Sequence, residues 1–204
     1  MIESGEKLFN LLNDKGLKNK SERELIEKSE DYWNELMGKS SYSREELKSL
    51  VPRNERNWGK RNRKIILRAF EKVANRFISD ELKKGSFRFS KYTLQDEGAP
   101  DSYKYLSPYG YVHALAIASE TKMAQIRKLF YEVKKLKTVR NKYLQASRIS
   151  FMSKYALARG TIRPLLDEFI QNSMEIIRKN NYATDEIEGF IEVFKALIAY
   201  SKAK

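Results

Sequence analysis

Apolar residues recur with helical spacing through the second half of the chain. The clearest run begins at Thr184, after which apolar residues at i, i+3, i+4, i+7, i+10 and i+11 predict an amphipathic helix. These residues are Ile187, Phe190, Ile191, Phe194, Leu197 and Ile198. Similar stripes predict four earlier helices, over 108–117, 121–137, 139–159 and 164–177. The C-terminal half is therefore predicted to be an all-α bundle of about five helices.

The first hundred residues also have helical patterns. Ser21 with Glu24, and Ser43 with Glu46, form capping boxes that each open a helix. A longer apolar stripe predicts a helix over 58–83, and Phe87–Ser90 alternates in the way a short strand would. The turn-forming residues at 96–101 predict a linker. We therefore divide the chain into an N-terminal helical extension, residues 1–100, and a helical bundle, residues 101–204.

The composition supports an all-α protein and narrows its chemistry. Only 9 Gly and 4 Pro in 204 residues leave little material for the many turns of a β fold. The absence of cysteine excludes disulfides and thiolate metal sites and suits a reducing compartment. Glu3 and Glu6 lie where a signal peptide needs apolar residues, and no apolar run approaches the roughly 18 residues of a membrane span. We expect a soluble cytoplasmic protein without a membrane partner.

The net charge of +13 is concentrated in two short blocks. Residues 53–68 contain seven basic residues against Glu55 alone, and residues 121–163 contain twelve against Glu132 alone. The remaining segments are neutral or slightly acidic. Focused positive charge of this kind indicates a polyanionic partner.

The helix predicted over 121–137 places cations on one side and apolar residues on the other. Arg127 and Lys134 form one row, Lys128 and Lys135 form a second, and Tyr131 falls between them. Such a ridge suits phosphate contacts combined with stacking on a base or ribose. The alternative is an ordinary solvated face, although such faces usually mix charges of both signs.

The helix predicted over 139–159 is apolar nearly all the way round, which predicts a central position in the bundle. Arg148, Tyr155 and Arg159 share one of its faces, and Lys154 flanks them. These cations can bind phosphate or pair with a carboxylate at the edge of the core. Asp167 and Glu168, which follow in the sequence, are the available partners if they fold back.

The block over 53–68 is a weaker candidate for nucleic-acid binding. Its basic residues surround Trp58 and are Arg56, Lys60, Arg61, Arg63 and Lys64. A charged helix start with a tryptophan core anchor explains the same pattern. If the block is functional, the chain could instead be a helical regulator that binds duplex DNA.

Nothing in the sequence predicts catalysis, a metal site or a cofactor. The single histidine, His113, lies in an apolar run and is expected to be a core residue. No sequence motif for nucleotide hydrolysis, zinc binding or a serine nucleophile is present. The acidic group over 185–192 is expected to be a solvated face, since acids favour the first turns of a helix. A metal-dependent nuclease would require Asp185 and Glu188, and we do not expect an enzyme.

Three segments resemble a known family. Thr121–Phe130 (TKMAQIRKLF) is similar to the Thr-x-x-Gln-Ile-Arg-Lys helix of the small subunit of the type III-A CRISPR–Cas (Csm) complex. Lys154–Arg159 (KYALAR) resembles that family's Lys-x-x-x-Tyr-Ala-x-Ala-Arg-type segment, and Phe190–Tyr200 (FIEVFKALIAY) resembles its closing helix. The three segments occur in the family's order over about residues 108–204.

This resemblance implies a non-catalytic scaffold subunit of an RNA-guided antiviral defence complex. Several stacked copies would contact the backbone and large subunits and help line the channel for guide RNA and target RNA. Carried over by position, Arg127, Lys128, Lys154 and Arg159 would contact RNA. The focused charge independently indicates the same residues, together with Tyr131, Lys134, Arg148 and Tyr155.

Overall fold

The computed structural model describes residues 68, 70–83, 87–92 and 111–202, and this part of the chain is helical without a β-strand. Residues 70–76 are α-helical and continue into a π-helix, Phe77–Leu82. Five α-helices follow a short 3-10 helix, Phe89–Tyr92. They are α1 Tyr111–Ala118, α2 Met123–Lys135, α3 Lys142–Ala158, α4 Pro164–Lys179 and α5 Thr184–Lys202. The prediction of an all-α bundle with about five C-terminal helices is confirmed.

The short strand predicted at Phe87–Ser90 is wrong. Both Phe87 and Phe89 are buried, and the chain turns into the 3-10 helix at Phe89. The buried carboxylate of Glu186 on α5 accepts hydrogen bonds from Phe89 N at 2.8 Å and from Ser90 Oγ at 2.7 Å. These bonds satisfy the start of the 3-10 helix, so the segment needs no neighbouring strand.

An aromatic cluster forms the centre of the core. Its fully buried rings are Phe77, Phe89, Phe169, Phe190 and Phe194. The ring centroids of Phe89 and Phe190 are 5.0 Å apart, and those of Phe77 and Phe169 are 6.1 Å apart. Residues 70–83 and 87–92 therefore share one core with the helices after residue 110. The predicted linker at 96–101 and residues 1–67 lie outside the described residues.

A glycine allows α5 to approach the 3-10 helix closely. A Cβ at Gly189 would lie 2.1 Å from the carbonyl oxygen of Phe89, far inside van der Waals contact. Gly189 occupies the turn between Glu186 and Phe190, both of which contact the same segment. The close approach therefore depends on the missing side chain.

Short connections join the five helices. Gly160, with φ of +64°, follows the end of α3, and Pro164 occupies the first turn of α4. The start of α3 is capped by Asn141, whose side-chain oxygen accepts from Leu144 N at 2.9 Å. The N-cap residue of α2 is Lys122, and the hydroxyl of the preceding Thr121 donates to Ser119 O at 3.1 Å.

The position of α3 also differs from the prediction. Its buried residues are Gln145, Ala146, Ile149 and Ser153, and it lies at the edge of the bundle against α2 and α4. The helix with a continuous buried run is α1, where residues 111–116 are all buried. The described helices include none with the length and apolar character needed to cross a bilayer.

Candidate nucleic-acid interface

The outer side of α2 is a row of cations around one exposed ring. Arg127, Lys128 and Lys134 are exposed, and within the described part of the chain they form no ion pair. Tyr131 lies among them with 63% of its surface exposed. The ammonium of Lys135 lies 4.3 Å from the Tyr131 ring centroid, within cation–π range.

The one acidic residue of α2 points inward. Glu132 is only 6% exposed and lies between α2 and α3. Its carboxylate accepts hydrogen bonds from Lys135 Nζ at 2.9 Å and Gln145 Nε2 at 3.0 Å, and Arg148 Nε lies 3.3 Å away. Burial alone would raise the pKa of Glu132, but these hydrogen bonds and the Arg148 charge outweigh it and lower the pKa. The acid is therefore ionised and buried, and the outward side of α2 carries cations without a carboxylate.

The outer side of α3 presents apolar and aromatic side chains to solvent. Leu144, Phe151 and Tyr155 are 64%, 69% and 55% exposed. The Phe151 and Tyr155 rings are nearly parallel, at 17°, with centroids 6.4 Å apart. The Arg159 guanidinium carbon lies 5.6 Å from the Tyr155 ring centroid, and its Nη1 donates to the Tyr155 hydroxyl at 3.5 Å. Large exposed apolar groups in one row are unusual on a soluble surface and indicate an interaction site.

Glu132 joins the two sides into one surface, because it binds Lys135 on α2 and Arg148 on α3. We call this surface the α2–α3 face. Its residues are Arg127, Lys128, Tyr131, Lys134, Lys135, Leu144, Arg148, Phe151, Tyr155 and Arg159. Positive charge and accessible rings thus occur together.

Two of the predicted RNA-binding cations are paired with buried acids. Lys154 Nζ lies 2.6 Å from the carboxylate of Asp167, which also accepts from Ser153 Oγ at 2.8 Å and Gln171 Nε2 at 3.0 Å. Arg148 pairs with Glu132 as described above. Both side chains remain more than half exposed, so contact with RNA stays a prediction for each.

Arg159 has no acidic partner in the described region. Asp167 pairs with Lys154, and Glu168 pairs with Lys83 at 2.6 Å, so both candidate partners are occupied elsewhere. The guanidinium of Arg159 contacts the Tyr155 ring instead. Of the cations predicted on α3, Arg159 is therefore the one without an acidic partner among the described residues.

The pattern of apolar positions on α3 did not predict that Leu144 and Phe151 belong to the α2–α3 face. Leu144 and Phe151 were expected in the core because α3 is apolar all round. The available signal was the small and polar set Gln145, Ala146 and Ser153, which shares one side of the helix and allows close packing there. A helix that buries small residues leaves its larger ones outside.

The other candidates have different outcomes. Arg56, Lys60, Arg61, Arg63 and Lys64 lie outside the described residues, so that prediction is untested. In the acidic group over 185–192, the carboxylates of Glu186, Glu188 and Glu192 are engaged by the 3-10 helix, Lys137 and Lys195, respectively. The described residues contain no cluster of three potential metal ligands.

The lone histidine is a core residue, as predicted. His113 is 4% exposed, and its ring stacks on Tyr200 with centroids 4.4 Å apart.

No protein-family model, curated protein or solved structure matches the chain.

Proposed function

We propose that this chain is a non-catalytic RNA-binding scaffold subunit of a type III CRISPR RNA-guided effector complex. In this proposal the α2–α3 face lines the channel for guide RNA and target RNA and contacts the phosphate backbone. The observation that supports RNA binding most directly is the burial of Glu132, which leaves Arg127, Lys128 and Lys134 without a neighbouring acid on the solvent side of α2.

The chemistry of the face favours single-stranded RNA over a duplex. Cations that contact phosphates release counterions and supply sequence-independent affinity. Tyr131, Phe151 and Tyr155 offer ring faces on which unpaired bases can stack, and a duplex keeps its bases out of reach of such rings. Binding should therefore be strongly salt-dependent and show little sequence preference.

The assignment to a type III complex depends on the three resembling segments. Two of these segments contribute residues to the α2–α3 face: Thr121–Phe130 contains Arg127 and Lys128, and Lys154–Arg159 ends at Arg159. The third segment, Phe190–Tyr200, lies within α5. We propose the backbone and large subunits as protein partners, together with further stacked copies of this chain. Co-purification from the native host, followed by identification of the accompanying proteins and RNA, tests this part.

A salt series tests RNA binding by the face. Filter binding of single-stranded RNA is measured for wild type, for Arg127→Ala/Arg159→Ala, and for Lys179→Ala/Lys195→Ala. The control removes two exposed cations from α4 and α5 and thus changes the net charge equally. We expect the first variant to lose affinity and to reduce the slope of log K against log salt by about 1.4, at ~0.7 per phosphate contact. The control should match wild type.

Three results would contradict the proposal. Equal losses in both variants would mean that net charge, not the face, governs binding. No loss in either would remove Arg127 and Arg159 from the site. A preference for one duplex sequence in competition would favour the DNA-binding alternative through the 53–68 block.

A further inference from the structure

An open surface cleft lies between two helix connections, apart from the α2–α3 face. It has a volume of about 550 Å³ and opens where the α2–α3 and α4–α5 connections meet. Its lining residues are Arg140, Asn141, Lys142, Tyr143, Asn181 and Tyr182. None of these residues belongs to the α2–α3 face. The volume falls within the range of small-molecule sites.

The lining is rich in hydrogen-bond donors and contains no carboxylate. Arg140 is exposed and forms no ion pair with any described residue. Lys142 Nζ donates to the carbonyl oxygen of Tyr182 at 3.1 Å, which holds its charge at the cleft. Asn141 uses its side-chain oxygen to cap α3, so its NH2 group remains free to donate. An anionic group is the natural ligand for such a set.

Two tyrosines form the aromatic part of the cleft. Tyr143 is 62% exposed, and its ring meets that of Tyr182 edge to face, with centroids 6.5 Å apart and an angle of 84°. Burial, followed by the neighbouring Tyr143, raises the pKa of the Tyr182 hydroxyl, so this hydroxyl stays protonated and able to donate. The exposed ring of Tyr143 leaves room for a planar ligand to stack.

The α4–α5 connection fixes Tyr182 in an uncommon backbone conformation. Asn181 and Tyr182 are consecutive non-glycine residues with φ of 52° and 55°. A tyrosine in this region is rare, and such residues concentrate at binding sites. The turn is held by Tyr182 N donating to Ile177 O at 2.9 Å and Asn181 N donating to Arg178 O at 3.0 Å. The ring is thereby positioned before any ligand arrives.

We propose that this cleft binds a phosphorylated nucleotide, with the base stacked on Tyr143 and the phosphate held by Arg140 and Lys142. The same chemistry fits a free nucleotide and the 5′-phosphorylated end of an RNA strand. The inference does not depend on RNA binding by the α2–α3 face, because the two sites share no residue.

Calorimetric titration of the full chain with adenosine 5′-monophosphate tests the cleft. We expect saturable binding that weakens roughly tenfold in Arg140→Glu, where a charged contact is reversed, and roughly fivefold or more in Tyr143→Ala, where stacking is lost. Tyr143→Phe, which keeps the ring, should bind as wild type does. Lys195→Glu makes the same charge change on α5, outside both the cleft and the α2–α3 face, and should leave the affinity unchanged.

Two tetranucleotides, one with a 5′-phosphate and one with a 5′-hydroxyl, distinguish the sources of the ligand. Tighter binding of the phosphorylated strand than of adenosine 5′-monophosphate identifies a strand end, and equal binding identifies a free nucleotide. We expect the 5′-phosphorylated tetranucleotide to bind more tightly than the 5′-hydroxyl one. This difference should persist in Arg127→Ala/Arg159→Ala, whether or not that variant has a defect in RNA binding. The proposal is overturned if wild type shows no saturable binding of any phosphorylated probe. Equal affinities in wild type, Arg140→Glu and Tyr143→Ala would also overturn it.

Discussion

Helices α3 and α5 look alike in apolar content but occupy opposite environments. In α5, of 19 residues, the apolar stripe from Ile187 to Leu197 is buried among α1, α2, α4 and the 3-10 helix. In α3, of 17 residues, the large side chains Leu144, Phe151 and Tyr155 face solvent. The comparison teaches that apolar content alone does not decide burial. The side on which small residues permit close packing decides it as well.

The two helices are also held in place differently. Ring centroids 4.4 to 6.5 Å apart connect α5 to its neighbours. Helix α3 buries Ala146 and Ile149 and is also attached through two buried carboxylates. Glu132 binds it from α2, and Asp167 binds it from α4. A buried carboxylate stabilises such a contact only while its hydrogen-bond partners stay in place. We therefore expect α3 to be the more easily loosened of the two.

Replacing one phenylalanine in α5 and one in α3 should give the largest difference in the free energy of unfolding. Phe190→Ala removes a fully buried ring from the aromatic cluster and should cost about 3–5 kcal/mol of the free energy of unfolding. Phe151→Ala removes an exposed ring and should change it by less than about 0.5 kcal/mol. Urea denaturation measures both. A cost at Phe151 comparable with that at Phe190 would show that α3 is buried after all.

Glycine substitutions test how closely α5 is packed. Gly189→Ala places a Cβ against the Phe89 carbonyl and should cost about 3 kcal/mol or more, since backbone must move. Gly160→Ala meets no atom within 4 Å and has only its positive φ to oppose it, so about 1 kcal/mol is expected. Thermal and urea unfolding of both variants provide the comparison. Equal costs would mean that the 3-10 helix does not constrain α5.

The clamp between α3 and α4 should matter through its acid more than through its lysine. Asp167→Ala leaves Ser153 Oγ and Gln171 Nε2 without their acceptor and should cost about 2–3 kcal/mol. Lys154→Ala removes a partner that is 60% exposed, so we expect about 0–1 kcal/mol. Hydrogen exchange of the α3 amides, measured beside global stability, shows whether the loss is local. Identical effects of the two changes would indicate an ordinary ion pair.

The exposed ring of Phe151 should contribute to RNA binding without contributing to stability. Phe151→Ala should weaken binding of single-stranded RNA by about 1 kcal/mol, roughly fivefold, through lost stacking. Phe151→Tyr keeps a ring and should restore it. Filter binding at constant salt measures the series. Unchanged affinity in Phe151→Ala would exclude this ring from the interface.

The smallest expected effect is the pH dependence that Glu132 confers. Its pKa is lowered in the folded protein, so its contribution to stability is fully present above the unfolded value of about 4.3. That contribution is lost as pH falls through the lower folded value. The difference in unfolding free energy between wild type and Glu132→Gln should be constant from neutral pH to about pH 5 and shrink below it. A difference that grows on acidification would reverse the assigned direction.

Local patterns predicted the helical part of the fold well. The apolar stripe of α5 and the approximate ends of α3 and α4 were confirmed, because each depends on a few neighbouring residues. The short strand at Phe87–Ser90 was wrong because its hydrogen-bond partner, Glu186, lies almost a hundred residues away in the sequence. No local pattern contains that contact.

The candidate site was predictable only where it depends on neighbouring residues within one helix. Helical geometry alone placed Arg127, Lys128, Tyr131 and Lys134 together on α2. The exposure of Phe151 was not predicted, because apolar residues lie on nearly every side of α3. Their pattern does not indicate which side packs against a neighbouring helix. The partners of Arg148 and Lys154 also depend on how α2, α3 and α4 meet.

The amino-acid sequence by itself determined the helices, the concentration of positive charge over 121–163 and the absence of cysteine chemistry. The tertiary structure alone decided which sides of those helices stay in solvent and where each acid lies. The physical reason is the range of the forces involved. Helix formation and charge density depend on residues three or four positions apart, while burial and ion pairing depend on elements that meet only after folding. The burial of Glu132 and the exposure of Phe151 belong to the second kind.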